Sequence, residues 1–147
     1  MFLRRRVLIY DSLNSRGHVS YANALTAENA ALFDACDGIF LNYWWNPGKE
    51  ERPGPLLASR AKAAARRFDV YAGVDVFARD RHKLHYDAGP GCADGVDQAA
   101  TAGLSVALFA PGWTLERGGA RGGAAEAAEA EFWGQLAEPV RRLKDAG

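Results

Sequence analysis

Four short apolar runs along the chain each end in a cluster of aromatic and polar residues. They occupy residues 7–10, 38–41, 70–77 and 104–109, and stretches with the character of helices separate one run from the next. Strands that alternate with helices predict an α/β fold with a parallel sheet of about four β/α units. Chemistry on such sheets gathers at the carboxyl ends of the strands, which is where this sequence places Tyr, Asn and Trp.

Two of the intervening stretches are predicted to be long helices. Between the first two runs, apolar residues recur at helical spacing up to about residue 34, with Glu28 and Asn29 on the polar side of the helix. The Ala- and Arg-rich stretch at 56–67 favours helix strongly. The packed face of that second helix is predicted to comprise Leu57, Ala61, Ala64, Ala65 and Phe68.

The other connections are predicted to be loops and shorter helices. A Pro- and Gly-rich loop covers 46–55, a long loop covers 79–92, and a short helix covers about 94–102. A flexible Gly-rich link at 118–123 precedes a C-terminal helix that Pro139 is expected to kink or restart. The apolar side of this last helix is predicted to comprise Phe132, Leu136, Val140 and Leu143.

The pattern leaves two architectures open. Eight β/α units close into a barrel at roughly 250 residues, so four units in 147 residues would form half of one. The alternative is an open, doubly wound four-stranded domain. A half barrel leaves unpaired strand edges, and neither the run at 7–10 nor the run at 104–109 carries polar residues that would shield such an edge.

Composition excludes several classes of function. The 18 Lys and Arg residues balance 18 Asp and Glu residues, so no long-range field attracts nucleic acid or an anionic membrane. Two Cys and three His residues without ligand spacing predict no metal or cofactor. The apolar run after the basic N-terminal residues is too short for a signal peptide or a membrane span, which predicts a soluble, untargeted chain.

Several segments of the sequence, rather than its pattern, resemble glycoside hydrolase family 85, the cytosolic-type endo-β-N-acetylglucosaminidases. The matches span nearly the whole chain, in order and at compatible spacing, and several matches in register are more specific than any single motif. They are Tyr10-Asp11-Ser12; Gly17, Val19, Tyr21, Leu25 and Asn29; Phe33-Asp34, Cys36 to Phe40, Asn42-Tyr43 and Trp45; Asp69 to Tyr71, Gly73 to Phe77 and Arg79; Phe109 to Trp113 and Glu116; and Phe132-Trp133-Gly134.

The resemblance implies that residues 1–147 form the second half of a (β/α)8 barrel in a cytosolic enzyme. Enzymes of this family cut the bond between the two GlcNAc residues of N-linked glycan cores. Their mechanism is substrate-assisted: a Glu protonates the leaving oxygen, and the 2-acetamido oxygen, oriented by an Asn two residues before that Glu, attacks the anomeric carbon. An oxazolinium forms and is opened by water. An N-linked glycan or glycoprotein is the implied substrate, and the missing half-barrel is a candidate partner.

The chain departs from the family pattern at the catalytic pair. No Asn-x-Glu occurs in the sequence, so the general acid is absent and the chain alone is predicted to be inactive. Three interpretations remain: a fragment of the enzyme, a non-catalytic carbohydrate-binding or partner protein derived from the barrel, and the product of a non-functional gene model.

The resemblance also implies roles at the first two strand ends. Tyr10 would donate a hydrogen bond to the developing oxazolinium, and Trp45 would stack on a sugar, with Trp44 as packing or loop cover. Asn42 either binds substrate hydroxyls or caps a loop. Tyr21 stands where the family usually has Trp, with Ala22 in place of its usual Gln, which weakens the stacking surface.

At the last two strand ends the candidates are Asp75, Trp113 and Glu116. Asp75 lies in the middle of an apolar strand, where an unpaired carboxylate would be costly, so it either binds substrate or pairs with an Arg such as Arg79. Trp113 and Glu116 resemble family positions near the cleft, although a surface role is the commoner one for a loop Glu.

Overall fold

The computed structural model describes residues 5–45, 54–79, 83–116 and 123–145. Four strands alternate with helices along these residues, and two 3₁₀ segments, Ala64–Asp69 and Gly89–Cys92, lead into β3 and α3. The elements are β1 (Leu8–Tyr10), α1 (Ala30–Ala35), β2 (Gly38–Leu41), α2 (Pro55–Ala63), β3 (Val70–Asp75), α3 (Ala93–Thr101), β4 (Ser105–Phe109), α4 (Trp113–Glu116) and α5 (Gly123–Asp145).

The four strands form one parallel sheet in the order β1-β2-β3-β4. Each strand is added on the same side of the one before, whereas a doubly wound sheet reverses its direction at a switch point. Right-handed crossovers that all run one way place the connecting helices on one face. Between the two architectures that the sequence left open, the structure has the winding of a partial (β/α) barrel.

The two faces of the sheet differ in burial as this winding requires. On the helix-covered face Ile39, Leu41, Val70 and Val74 are almost completely buried. On the opposite face, Leu8 is 44% exposed, and Tyr10, Phe40 and Tyr71 are only half-buried. The sheet therefore resembles half of a barrel whose inner face is open.

The predicted long helix before β2 is wrong for most of its length, because helix is confined to Ala30–Ala35. The preceding residues form turns around the buried carboxylate of Asp11, which accepts backbone hydrogen bonds from Ala22 and Asn23. Asn29 was expected on the polar side of the helix, yet it is 1% exposed. In this segment, hydrogen bonds from Asp and Asn side chains to the backbone take the place of helical backbone hydrogen bonds. Asp and Asn side chains often compete with helix in this way.

The prediction of which face of the second helix is packed is also wrong. Leu57 and Phe68 are 50% and 56% exposed, and the buried residues of α2 are Leu56, Ser59 and Ala63. Ala64 has a φ of 50°, which ends the α-helix and turns the following residues away from its axis. Ser59 is buried because its hydroxyl donates to the carbonyl of Pro55 and accepts from the Leu25 N–H.

The later elements match their predictions more closely. The strand positions and the short helix α3 are confirmed within one or two residues at each boundary. In α5, Phe132 and Leu136 are buried as predicted, whereas Val140 is 41% exposed, and the helix continues through Pro139 without restarting. Most of the loop predicted at 46–55 and of the link predicted at 118–123 lies outside the described residues.

Candidate functional site

A chain of side-chain hydrogen bonds joins the carboxyl ends of β1 and β2. The Tyr10 hydroxyl donates to Oδ1 of Asn42 at 2.7 Å, and Nδ2 of Asn42 donates to Oδ1 of Asn23 at 2.7 Å. The same Asn23 oxygen accepts the backbone N–H of Trp44 at 3.2 Å. Asn42 therefore has both ends of its amide fixed, and its orientation determines where the Tyr10 phenol points.

Asp11 lies beneath this chain with 1% of its surface exposed. Its carboxylate accepts the backbone N–H groups of Asn23 at 2.7 Å, Ala22 at 3.3 Å and Asn42 at 3.4 Å, and Nδ2 of Asn29 at 3.0 Å. Burial raises the pKa of Asp11, and these donors oppose that rise. Asp11 thus holds the loop that carries Asn23 against β1 and β2.

The left-handed backbone of Asn23, with a φ of 55°, aims its side chain at the strand ends. Asn tolerates this conformation better than most residues. Sequence reasoning missed Asn23, which is one of the three unmatched positions between Tyr21 and Leu25 in a segment that resembles the family. Asp11 and Asn29 are matched positions of that resemblance, but the sequence assigns neither of them a role because their contacts are non-local.

Burial raises the pKa of Tyr10 well above the ordinary range of a phenol. A phenol is neutral near pH 7 even without this shift, so Tyr10 keeps its proton and donates it to Asn42. The hydroxyl group is half-buried at the rim of the sheet, next to the exposed inner face.

Aromatic rings pack against the ring of Tyr10. The Tyr21 ring, 45% exposed, meets the rings of Tyr10 and Trp44 edge to face at centroid distances of 6.3 and 5.9 Å. Nζ of Lys83 lies 3.8 Å from the centroid of the Trp44 ring, a cation–π distance. Tyr21 and Trp44 thus present partly exposed ring surface beside the Tyr10–Asn42 pair.

Trp45 lies in the core, in contrast to its predicted stacking role. It is 0% exposed, its indole N–H donates to the carbonyl of Gly73 at 2.8 Å, and its ring packs against His85 and Tyr86. Trp44, beyond the end of β2 at Leu41, is only partly buried and contacts Tyr21. The partly exposed indole at this strand end is that of Trp44.

Asp75 pairs with Arg79, which is the structural alternative that the sequence left open. Its carboxylate is 0% exposed and accepts hydrogen bonds from Nη2 and Nε of Arg79 at 3.1 and 3.3 Å. It also accepts the backbone N–H groups of Phe77 and Arg79, while the Asp75 N–H donates to the Tyr86 hydroxyl. Every oxygen of Asp75 is thus occupied in shaping the turn after β3.

Arg79 extends from Asp75 across the rim towards β4. Its guanidinium lies 5.2 Å from the centroid of the Phe109 ring, and Phe109 in turn stacks on Tyr43 at 5.6 Å. The hydrogen bonds from Arg79 to Asp75 raise the pKa of the Arg79 guanidinium above its ordinary value. Tyr43 and Glu116 raise this pKa by smaller amounts. Arg79, which the sequence identified only as a partner for Asp75, brings positive charge to the part of the rim near Glu116.

Trp113 and Glu116 follow β4 on α4. The half-buried Trp113 ring packs over Gly89, where a Cβ atom would come within 2.5 Å of the ring and where φ is 62°. Glu116 is exposed. Hydrogen bonds and ring contacts join Tyr10, Tyr21, Asn42 and Trp44 into one cluster. Asp75, Trp113 and Glu116 lie around the ends of β3 and β4.

The described ranges contain neither a metal-binding cluster nor a membrane-spanning helix. No group of three or more His, Cys, Asp or Glu side chains there could hold a metal ion. No helix in the same ranges is long and apolar enough to cross a membrane.

Comparison with known proteins relates nearly the whole chain to one family. The model of glycosyl hydrolase family 85 matches residues 2–146. Cytosolic endo-beta-N-acetylglucosaminidase 1 of Arabidopsis thaliana is 41% identical over 111 residues, which cover 75% of this chain and 15% of the relative. The Gallus gallus protein, cytosolic endo-beta-N-acetylglucosaminidase, is 39% identical over 136 residues, covering 88% of this chain and 16% of the relative.

A mammalian relative gives the same result. Cytosolic endo-beta-N-acetylglucosaminidase of Homo sapiens is 40% identical over 113 residues, covering 75% of this chain and 14% of the relative. The chain thus spans only about one seventh of the length of the curated relatives that it matches.

Proposed function

The chain belongs to glycosyl hydrolase family 85, and on that premise we propose that it forms part of a cytosolic site that binds N-linked glycan cores and cleaves their GlcNAc–GlcNAc bond. In this proposal the chain supplies contacts to the 2-acetamido group and to the acceptor sugar. The general acid comes from outside the chain, because no Asn-x-Glu pair occurs in its sequence.

The observation that carries the proposal is the Tyr10–Asn42–Asn23 chain at the rim of the sheet. In a substrate-assisted reaction the acetamido oxygen attacks the anomeric carbon while an acid protonates the leaving oxygen, and the charge of the resulting oxazolinium needs polar partners. Tyr10 is suited to this role because its one hydroxyl proton is donated to Asn42, which leaves the phenol oxygen to accept a hydrogen bond from the N–H of the oxazolinium. Asn42 fixes the direction of the phenol, so the phenol does not have to reorient during the reaction.

Tyr21 and Trp44 provide the second part of the proposed site. Both rings are partly exposed beside Tyr10, and the apolar C–H face of a pyranose can pack on such surfaces. Trp45 has no exposed face, so the proposal assigns sugar stacking at this strand end to Trp44 instead.

The missing acid favours a second candidate function for the chain by itself. A polypeptide that has the rim aromatics and the Tyr10–Asn42 pair but no general acid can bind a glycan without cleaving it. Losing a general acid typically costs about 10²–10⁴-fold in rate. A non-catalytic carbohydrate-binding protein therefore remains the alternative.

The test uses the 147-residue chain and a high-mannose glycopeptide. We expect no glycan release by the chain alone, binding of the chitobiose core, and release when a family polypeptide carrying the Asn-x-Glu half of the barrel is added. Tyr10→Phe should reduce the restored rate about 10-fold or more with little loss of binding, and Leu57→Ala on the exposed side of α2 serves as the control. Binding without restored cleavage would support the carbohydrate-binding alternative.

The proposal would be contradicted by either of two results. The first is the absence of both core binding and restored cleavage. The second is release by the chain alone, which would mean that another carboxylate, such as Asp75 or Glu116, acts as the acid. Reading the DNA before the codon of Met1 separates a truncated enzyme, whose frame continues into an Asn-x-Glu unit, from a chain with a stop just ahead of Met1.

A further inference from the structure

Two backbone groups hold the side-chain amide of Asn23. The backbone N–H of Trp44 donates to Oδ1 of Asn23 at 3.2 Å, and Nδ2 of Asn23 donates to the carbonyl of Tyr21 at 3.1 Å. A backbone N–H can only donate a hydrogen bond, and a backbone carbonyl can only accept one. The oxygen of the Asn23 amide therefore has to face Trp44, and the amide cannot turn over without losing both contacts.

The orientation of Asn23 determines that of Asn42 and then that of Tyr10. Oδ1 of Asn23 also accepts a hydrogen bond from Nδ2 of Asn42 at 2.7 Å, so the nitrogen of the Asn42 amide faces Asn23 and its oxygen faces Tyr10. The Tyr10 hydroxyl lies 2.7 Å from that oxygen and has to donate its one proton to it. Two backbone groups thus set the direction of the Tyr10 proton through two side-chain amides.

The direction of this proton decides what Tyr10 offers to a substrate. When the proton is donated to Asn42, the phenol oxygen offers a lone pair to the open side of the rim. If Asn42 were turned over, its nitrogen would donate to the phenol, and the phenol proton would be free to point at the substrate. The N–H of an acetamido group that becomes an oxazolinium needs an acceptor, so only the first arrangement stabilises it.

From this chain of contacts we propose that Asn23 is a positioning residue, which makes Tyr10 a hydrogen-bond acceptor for the 2-acetamido N–H of the substrate. The inference rests on the proposed function and adds to it a residue that acts through Asn42. Asn23 also joins the two parts of the site. The backbone groups that fix its amide belong to Tyr21 and Trp44, whose rings are the proposed stacking surface.

The backbone conformation of Asn23 allows a variant that removes only the amide. Its φ of 55° lies in the left-handed region, which Gly adopts readily, so Asn23→Gly does not strain the chain. The backbone N–H that Asn23 donates to Asp11 at 2.7 Å is kept in this variant. Asn23→Asp is the conservative variant, because it keeps an oxygen for the donors of Asn42 and Trp44.

The first measurement is the rate of glycan release by the chain mixed with a family polypeptide that carries the Asn-x-Glu half. Asn23→Gly should reduce this rate about 10-fold or more, because the phenol is no longer held in the productive direction. Adding Asn23→Gly to Tyr10→Phe should cost little further, since no phenol remains to be oriented, whereas a merely structural role would give losses that add. Asn23→Asp should keep more of the rate than Asn23→Gly.

Asn14→Gly is the matched control. Oδ1 of Asn14 accepts the backbone N–H groups of Arg16 and His18, so this variant also removes an Asn amide from the loop after β1. The amide of Asn14 orders the tip of that loop rather than the rim, and its removal should leave the rate unchanged. Circular dichroism checks that each variant stays folded.

The second measurement needs no activity. In ¹⁵N–¹H spectra of the chain alone, the proton that Nδ2 of Asn42 donates to Asn23 should move to lower chemical shift in Asn23→Gly but not in Asn14→Gly. The inference is overturned if this shift is unchanged, if Asn23→Gly keeps the full rate, or if its loss adds in full to that of Tyr10→Phe. A mixture that releases no glycan, or a Tyr10→Phe variant with the full rate, would instead contradict the proposed function, and the chemical shift would then test the orientation of Tyr10 by itself.

Discussion

At the scale of single residues, Asp11 organises the candidate site although it does not face the rim. Its four hydrogen-bond donors come from the loop at Ala22 and Asn23, from Asn29 and from the end of β2. A buried carboxylate without partners would be costly, whereas one surrounded by donors orders them. The position of Asn23, and through it that of Asn42 and Tyr10, therefore depends on Asp11.

Replacing Asp11 should test this dependence. Asp11→Ala leaves the Asn23 N–H and the Asn29 amide without their acceptor, and we expect a loss of about 3 kcal/mol in the free energy of unfolding. Urea denaturation measures the loss. Asp34→Ala is the control, since the Asp34 side chain is 75% exposed and its pair with Arg66 spans 3.8 Å, and it should cost less than about 0.5 kcal/mol. Equal losses for the two variants would contradict the role given to Asp11.

At the scale of elements, local composition and tertiary packing disagree about which helix faces are buried. The Ala-rich segment after Gly54 forms helix as its propensity requires, yet it buries Leu56, Ser59 and Ala63 rather than the more apolar face. Ser59 supplies the hydroxyl that the Leu25 N–H needs. In α5, by contrast, Phe132 and Leu136 pack as predicted, because the periodicity and the available neighbours agree.

A matched pair of Phe variants measures this difference. Phe132→Ala removes a fully buried ring and should lower the free energy of unfolding by roughly 3–5 kcal/mol. Phe68→Ala removes a ring that is 56% exposed, which the sequence pattern placed in the core, and should cost less than about 1 kcal/mol. Urea denaturation at constant protein concentration compares them. Similar costs would mean that Phe68 is packed after all.

At the scale of the whole molecule, the sheet is covered on one face and open on the other. Four parallel strands wound in one direction place all connecting helices on one side, and β1 and β4 each have one partner strand within the described residues. In the proposed function the Asn-x-Glu half of a family barrel pairs with both of these strands. The chain should then be more stable when that half is present, because association stabilises only the folded state.

Thermal unfolding with and without a family polypeptide that carries the Asn-x-Glu half tests this expectation. The midpoint temperature of the unmodified chain should rise as that polypeptide is added from about 1 to about 100 µM, whereas that of Val7→Lys, which places a charge next to the edge strand β1, should stay constant. Leu57→Lys, at an exposed position of α2, should behave like the unmodified chain. A midpoint that is independent of the added polypeptide in all three would argue against this pairing.

The sequence by itself determined the class of fold, the positions of the strands and the family. Short apolar runs bounded by turn residues specify strands locally, so β2 was predicted at its exact bounds and β4 within one residue. The absence of an Asn-x-Glu pair is likewise a property of the sequence alone. These features depend on neighbouring residues, which the sequence shows directly.

Only the tertiary structure decided which side chains face the rim and which face the core. Trp44 and Trp45 are adjacent and chemically identical, and their fates differ because the indole of Trp45 reaches the carbonyl of Gly73 on the neighbouring strand. Asn29 is buried because Asp11, 18 residues away in sequence, accepts its amide. The winding of the sheet also follows from strand pairing. Each of these depends on contacts between distant segments, whose geometry the local pattern does not contain.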